Sequence, residues 1–108
     1  MAKFILLYKG PATPQADITP EVGERLMQAW NAWMGKVGNA LVDGGAPFVA
    51  NSTAIAGDGS TSSASDLNGY TILEAPDLNS ATSLVEGNPF LDDGTANFAV
   101  EIYELGTM

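Results

Sequence analysis

Residues 66–90 form the stretch that most constrains how this chain can fold. A β-strand is predicted over residues 70–74, which are rich in β-branched and aromatic side chains. Pro76 ends this strand because it lacks the N–H that a sheet ladder needs, and Asp77 is a good N-cap for a following helix. A short helix is predicted over residues 78–86. Its inward-facing residues are Leu78, Ala81, Leu84 and Val85.

The first part of the chain predicts a similar unit with a longer helix. A strand over residues 3–9 leads through a proline-containing loop over residues 10–18 to Thr19, a good N-cap that precedes a proline. A helix is predicted over residues 20–43 and is ended by two glycines. Its apolar stripe consists of Val22, Leu26, Trp30, Trp33, Val37 and Leu41.

Two further strands are predicted in the rest of the chain. The second strand covers residues 46–50, or continues as far as residue 56. The polar run at residues 60–65 is either a surface loop or the return arm of a hairpin that turns at Asp58. The last strand covers residues 97–105, where apolar residues alternate. The order is therefore strand, helix, strand, strand, helix, strand.

This order predicts an α+β protein with the ferredoxin-like βαββαβ arrangement. Right-handed crossovers place both helices on one face of an antiparallel sheet. The strand over residues 3–9 is apolar on both faces, which carry Phe4, Leu6 and Tyr8 on one side and Ile5 and Leu7 on the other. The face without helices needs a second layer, which a second copy of the chain can supply. The prediction is a homodimer built as a dimeric α+β barrel.

The composition of the chain limits the classes of function that it can have. The 108 residues, 45% of them apolar, support a single domain over residues 1–108. Thirteen acidic residues against four basic ones give a net charge of −9, which predicts no binding to nucleic acid or to anionic membranes.

The residue types that are missing narrow the chemistry further. No cysteine or histidine occurs and no cofactor-binding motif is present, so no metal and no cofactor are predicted. No apolar run approaches the ~20 residues of a membrane span, and no secretory signal is found. The expected location is cytoplasmic.

Seven residues are candidates for lining a ligand pocket. Aromatic side chains offer flat surfaces to a ring-shaped ligand, and polar residues at strand ends and turns can bind its polar groups. Each also has an ordinary structural explanation, since aromatic residues pack in cores and Asp and Asn cap turns. An acid–base role would fall to Asp66 or Asp43. The candidates are Tyr8, Trp30, Trp33, Asp43, Asp66, Asn68 and Asn88.

Several segments together carry a family resemblance. They are the strand at residues 3–8, the Trp30-Asn31-Ala32-Trp33 helix, the Gly44-Gly45 pair, and residues 69–75 followed by Asp77-Leu78, Ala81 and Asn88-Pro89-Phe90. In this order and spacing they resemble the YCII-related family, including its DGPF-type branch, over nearly the whole chain. The resemblance implies a ferredoxin-like fold that dimerises.

The resemblance implies less about activity. Several members of the family carry a histidine paired with an aspartate in a suspected acid–base role, and this chain has no histidine to take that place. The contiguous DGPF tetrapeptide is also missing. Residues 43–48 only look like it, and they lie earlier than the position before the third strand where the family carries it.

Two classes of function therefore follow from the sequence. The first is a small-molecule binding protein or an enzyme of the dimeric α+β-barrel type. The alternative is a non-catalytic protein-interaction or regulatory module, because members of the DGPF branch occur alongside sigma-factor-like regulators.

Overall fold

The computed structural model describes residues 1–10, 19–49, 51–91 and 98–106. The loop predicted over residues 10–18 falls almost wholly outside these residues, and so does a turn that the sequence favours at Asp92-Asp93-Gly94. In chain order the elements are β1 (Ala2–Lys9), α1 (Pro20–Val37), β2 (Leu41–Asp43), β3 (Ala54–Ile55), β4 (Thr61–Ser62), β5 (Leu67–Ala75), α2 (Leu78–Val85) and β6 (Ala99–Glu104).

Four strands form one antiparallel sheet in the order β2-β5-β1-β6. β1 lies at the centre and pairs with β5 on one side and with β6 on the other. With the separate β3–β4 hairpin set aside, this order is that of the ferredoxin-like arrangement. The predicted α+β fold class is confirmed.

Both helices pack on the same face of this sheet. The core combines inward residues of β1 and β5 with residues of α1 and α2, and its fully buried members include Phe4, Leu6, Leu73 and Ala81. Each helix begins at the predicted cap. The Val22 N–H donates to Thr19 Oγ1 at 3.2 Å, and the Ser80 N–H donates to Asp77 Oδ1 at 2.7 Å.

The first helix differs from its prediction in where it ends and in how much of its apolar stripe is buried. It stops at Val37 rather than at Asp43, because Gly38 takes a φ of +60° and a 3-10 turn follows over Gly38–Ala40. Its first turns extend past the core, so that Val22 is 37% exposed and Leu26 is 42% exposed. The apolar stripe reaches the core only from Trp30 onward.

The second strand is also shifted from its predicted position. It covers Leu41–Asp43, where the sequence predicted helix, and a register shift between Leu41 and Asp43 marks a bulge against β5. The predicted strand at residues 46–50 is reduced to an isolated bridge between Pro47 and Gly69, and residue 50 is not described. Pro47 has no N–H to donate, which explains why the ladder does not continue there.

The polar run after residue 59 is the return arm of a hairpin. β3 pairs with β4, and Asp58 Oδ1 accepts hydrogen bonds from both the backbone N–H and the hydroxyl of Ser60. Gly59 supplies the positive φ of the turn. Of the two alternatives that the sequence left open, the hairpin is the one observed.

The sheet face opposite the helices carries apolar side chains without cover from the described residues. Ile5, Leu7, Ile72 and Tyr103 lie on this face, as the register of β1 with its two neighbours requires. The Tyr70 ring, on the same face, stacks on Phe48 with ring centroids 6.1 Å apart. We refer to this surface as the open sheet face. Among the described residues, no helix is long and apolar enough to cross a membrane.

Candidate functional site

A cleft of about 630 Å³ lies between α1 and the β2–β5 edge of the sheet. Its wall is formed on one side by α1, on the other by β5 and the segment after β2, and at one end by the 3-10 turn at Pro89–Leu91. The residues lining it are Tyr8, Met27, Trp30, Asn31, Met34, Gly44, Gly45, Ala46, Pro47, Asn68, Gly69, Tyr70, Thr71 and Phe90. The volume falls within the range typical of small-molecule sites, roughly 300–1,000 Å³.

The segment after β2, residues 44–47, lies against the backbone of β5 because two glycines permit a very close approach. A Cβ on Gly45 would lie 1.6 Å from the Tyr70 carbonyl oxygen, and one on Gly69 would lie 2.8 Å from the Ala46 carbonyl oxygen. Gly45 also has a φ of +79°. Asp43 Oδ1 holds the turn by accepting from the Gly45 N–H at 2.9 Å. These glycines therefore define one wall of the cleft.

Aromatic rings form a continuous cluster at the base of the cleft. The Tyr8 ring lies 5.4 Å from the Trp30 ring at 81°, and 5.2 Å from the Phe90 ring at 49°. Trp30 in turn makes an edge contact with Trp33 at 5.9 Å. Such edge-to-face contacts fix ring orientation, so the cleft has a rigid apolar base suited to a flat ligand.

A chain of hydrogen bonds with a single direction lies behind this base. The Thr71 hydroxyl donates to the Gly44 carbonyl oxygen at 3.2 Å, so its one proton is committed. The Tyr8 hydroxyl, 2.7 Å from Thr71 Oγ1, must then be the donor to it. Asn88 Nδ2 donates to the Tyr8 oxygen at 3.3 Å, while Asn88 Oδ1 accepts from the Phe90 N–H at 2.9 Å. The hydroxyl protons of Tyr8 and Thr71 are therefore both assigned.

The protonation state of Tyr8 follows from its surroundings. Burial raises the pKa of its hydroxyl above the ordinary value of 10.0, and the hydrogen bond that Asn88 donates to its oxygen offsets part of that effect. The phenol is thus neutral at physiological pH and cannot accept a proton as a base. It serves as a fixed polar group in an otherwise apolar base.

The structure brings three of the seven candidate residues onto the wall of the cleft. Tyr8 and Trp30 form part of its base. Asn68 lies at the rim, where its Nδ2 donates to the Gly10 carbonyl oxygen at 3.0 Å.

Two more candidates lie directly behind the wall. Trp33 is buried in the core, and its indole N–H donates to the Leu84 carbonyl oxygen at 3.0 Å. Asn88 is 2% exposed and contacts Tyr8 rather than the cleft itself.

The two aspartates lie outside the cleft. Asp43 is exposed, with one carboxylate oxygen bonded to the Gly45 N–H and the other 3.2 Å from the Tyr70 hydroxyl. This contact raises the pKa of Tyr70. Asp66 is exposed and contributes its backbone carbonyl, which accepts from the Gly10 N–H. Neither carboxylate faces a ligand in the cleft.

Sequence reasoning did not identify several of the lining residues. Thr71 could have been found, because it is a polar residue in the same strand alternation as buried Leu73 and Ala75. Met27, Asn31 and Met34 share one helix face at spacings of four and three, but that pattern is as typical of packing as of ligand binding. The close approach of residues 44–47 had no sequence signal beyond the pair of glycines.

The fold and the cleft together define a ferredoxin-like α+β protein with an aromatic-walled cleft. Among solved structures, the chain is similar to 5-chloro-2-hydroxyhydroquinone dehydrochlorinase from Burkholderia phenoliruptrix AC1100, which was solved in complex with 2,5-dihydroxybenzoquinone. The two chains are 19% identical with a TM-score of 0.57, and the match covers 96% of this chain and 93% of the other. At this identity the similarity establishes a shared fold.

The other comparisons leave the family unassigned. No protein-family model matches the chain, and no curated protein is similar to it in sequence. The fold that the YCII-related resemblance implied agrees with the structure. Membership of that family stays a prediction.

Proposed function

We propose that this protein binds a small, planar organic molecule in the cleft between α1 and β5. The observation that carries the proposal is the rigid aromatic base formed by Tyr8, Trp30 and Phe90 inside a cleft of about 630 Å³. Its size and mostly apolar wall are those of a small-molecule site. The dehydrochlorinase of similar fold holds 2,5-dihydroxybenzoquinone, a flat ring compound, which supports the same ligand shape here.

Binding is better supported than acid–base catalysis. The described wall of the cleft contains no carboxylate and no lysine, and its titratable side chain is the phenol of Tyr8, because the Tyr70 ring lies on the open sheet face. Tyr8 is held neutral by burial, as described above. Asp43 and Asp66, the candidates for a catalytic base, both lie outside the cleft. The interaction-module alternative stays a prediction, and recovery of a stoichiometric protein partner from the native host would support it.

The binding proposal predicts a loss of affinity when the aromatic base is reduced. We expect Trp30→Leu to weaken binding of N-phenyl-1-naphthylamine, a neutral flat probe, by roughly tenfold, or about 1.4 kcal/mol, since a ring face is lost. The measurement is a fluorescence titration, with circular dichroism to verify the fold. Ile55→Ala is the control, because Ile55 is 72% exposed on the β3–β4 hairpin. Equal affinities for wild type and Trp30→Leu would contradict binding at this cleft.

We also propose that the protein is a homodimer joined through the open sheet face. That face carries a row of apolar side chains on the two central strands, Ile5 and Leu7 beside Ile72 and Tyr70. Most of its charged residues have an opposite charge nearby, since Lys9 Nζ lies 3.7 Å from Glu101 Oε2 and Lys3 is opposite Glu74 in the register. Asp43, at the edge of the face, instead accepts from the Tyr70 hydroxyl. A face with an apolar centre and charges toward its edges suits contact with a twofold-related copy.

The dimer proposal is tested by charge insertion. We expect Leu7→Glu to convert a dimer, of twice the 11.2 kDa chain mass, into a monomer, because it buries two unpaired carboxylates at the twofold contact. Light scattering at micromolar concentration gives the mass. Ala32→Glu, on the exposed side of α1, adds the same charge and should leave the dimer intact. A wild-type mass of 11.2 kDa would refute the proposal.

A further inference from the structure

We propose that the cleft takes uncharged planar ring compounds and excludes the anionic forms of the same rings. This inference rests on the proposed binding function and specifies the ligand of that site. The inference rests on two observations. The four basic side chains of the protein all lie away from the cleft, and the hydroxyl groups of Tyr8 and Thr71 at its base already donate hydrogen bonds within the protein.

The sheet contributes two of the four basic residues, and both are directed away from the cleft. Lys3 and Lys9 alternate in β1 with the buried residues Phe4, Leu6 and Tyr8, so they belong to the open sheet face. Lys9 is paired there with Glu101. The chain's amino terminus, at the start of β1, is at the other end of that strand from Tyr8.

Helix α1 contributes the other two basic residues, and they lie on its far side. At about 100° per residue, Arg25 is roughly 160° and Lys36 roughly 180° around the helix from Met27, which lines the cleft. Lys36 is engaged elsewhere, since its Nζ donates to the Glu86 carbonyl oxygen at 2.8 Å. Glu24, only about 60° from Met27, is the charged residue nearest to the cleft side of these turns.

The remaining parts of the chain cannot supply a positive charge. Residues 11–18, 50, 92–97 and 107–108, which the structure does not describe, contain no lysine, arginine or histidine. These residues therefore cannot bring a cationic side chain to the cleft. The net charge of −9 adds a repulsive field for an approaching anion.

Neutral donors do not replace the missing cations at the base of the cleft. The hydroxyls of Tyr8 and Thr71 both donate within the protein. The Gly45 N–H donates to Asp43. The positive ends of α1 and α2 are occupied by their own caps, Thr19 and Asp77. The indole N–H of Trp30 and the amides of Asn31 and Asn68 also line the cleft, but they are uncharged donors. A carboxylate or sulfonate entering the apolar base would therefore lose its hydration without gaining a charged partner, whereas an uncharged ring would lose little.

Two probes that share one ring system test the inference. N-phenyl-1-naphthylamine is uncharged, and 1-anilinonaphthalene-8-sulfonate is the same ring system with one sulfonate. We expect the neutral probe to bind with quenching of tryptophan emission, and the anionic probe to bind at least tenfold more weakly at low ionic strength. Salt should narrow the difference, because it screens the repulsion by the protein's net charge.

The outcomes separate this inference from the proposed function. If neither probe binds the native protein, the binding function itself is overturned and the inference falls with it. If both probes bind with similar affinity and both lose affinity in Trp30→Leu, the cleft binds ligands but the charge selectivity is overturned. If the native protein prefers the neutral probe and Trp30→Leu loses this preference, the result supports both the binding function and the charge selectivity.

Two variants that each add one positive charge to α1 provide an independent test. Met27→Lys places a cation at the rim of the cleft, at a side chain that is 69% exposed and tolerant of change. Ala32→Lys adds the same charge on the exposed side of α1, about 140° away. We expect Met27→Lys to bind the anionic probe with at least threefold higher affinity than Ala32→Lys does. Equal responses of the two variants would contradict selectivity arising at the cleft.

Discussion

Gly45→Ala is expected to destabilise the protein by roughly 2–5 kcal/mol, the largest effect among the glycine positions. Part of this, about 1–2 kcal/mol, is the cost of a positive φ for a residue with a Cβ. The rest, about 1–3 kcal/mol, comes from overpacking, since that Cβ would lie 1.6 Å from the Tyr70 carbonyl oxygen. Neither backbone can move aside without opening the contact between residues 44–47 and β5.

The matched control for this variant is Gly59→Ala. Gly59 has a φ of +88° and no neighbour within 4 Å of the added Cβ, so it isolates the cost of the backbone conformation. Urea unfolding at one protein concentration measures both variants. We also expect Gly45→Ala, but not Gly59→Ala, to weaken binding of the neutral probe, because it displaces a wall of the cleft. A destabilisation no larger than that of Gly59→Ala would show that the close approach is unimportant.

The second large effect is expected at Asn88. Replacing Asn88 with leucine, which has a similar size, removes the acceptor of the Phe90 N–H and the donor to the Tyr8 oxygen. Leaving buried polar groups without partners costs about 1–3 kcal/mol each, so we expect a loss of roughly 2–4 kcal/mol. Because Asn88 links Phe90 to Tyr8, the aromatic base should loosen as well, and the neutral probe should bind more weakly.

Two further variants sharpen the test at Asn88. Asn51→Leu is the control, since Asn51 is exposed and a change there should alter stability little.

Asn88→Asp keeps the acceptor but replaces the amide donor by a buried carboxylate, whose pKa is expected to rise. A raised folded-state pKa contributes stability that is present at low pH and lost as pH rises. The deficit of Asn88→Asp should therefore shrink as pH falls through the raised folded-state pKa, and it should be smallest below about pH 4, the ordinary pKa of an aspartate in the unfolded chain. A deficit independent of pH would contradict the assigned direction of the hydrogen-bond chain.

The fold was largely predictable because its signals are local and repeated. Asp77 and Thr19 are N-caps in the structure as predicted, and Phe4, Leu6 and Tyr8 share one face of β1 as their alternation predicted. The structure then shows that this face is the one that meets the helices. Two strand–helix–strand units in this order admit few arrangements, since crossovers are right-handed. The errors lie around residues 38–50, where Gly38 ended the helix early and Leu41 joined the edge of β5 instead.

The candidate site was predictable only in part. Tyr8, Trp30 and Asn68 line the cleft, and Trp33 and Asn88 support it from behind, whereas Asp43 and Asp66 are exposed elsewhere. Aromatic and amide residues could be named as candidates because their chemistry is visible in the sequence, and their role in binding stays a prediction. Whether an aspartate faces a cleft or solvent depends on turns that bring distant segments together, and the sequence patterns do not resolve this.

The sequence by itself determined the fold class and the net charge of the protein. Hydrophobic periodicity, caps and breakers act over a few residues, and the four basic residues can be counted without any structure. Only the tertiary structure decided where the cleft lies and which way its protons point. Those features depend on contacts between residues as distant as Tyr8 and Asn88, or Gly45 and Tyr70, which no local pattern encodes. Residues 66–90 show both contributions. Its strand and helix were evident from sequence, while the role of its Asn88 in supporting Tyr8 emerged only from packing.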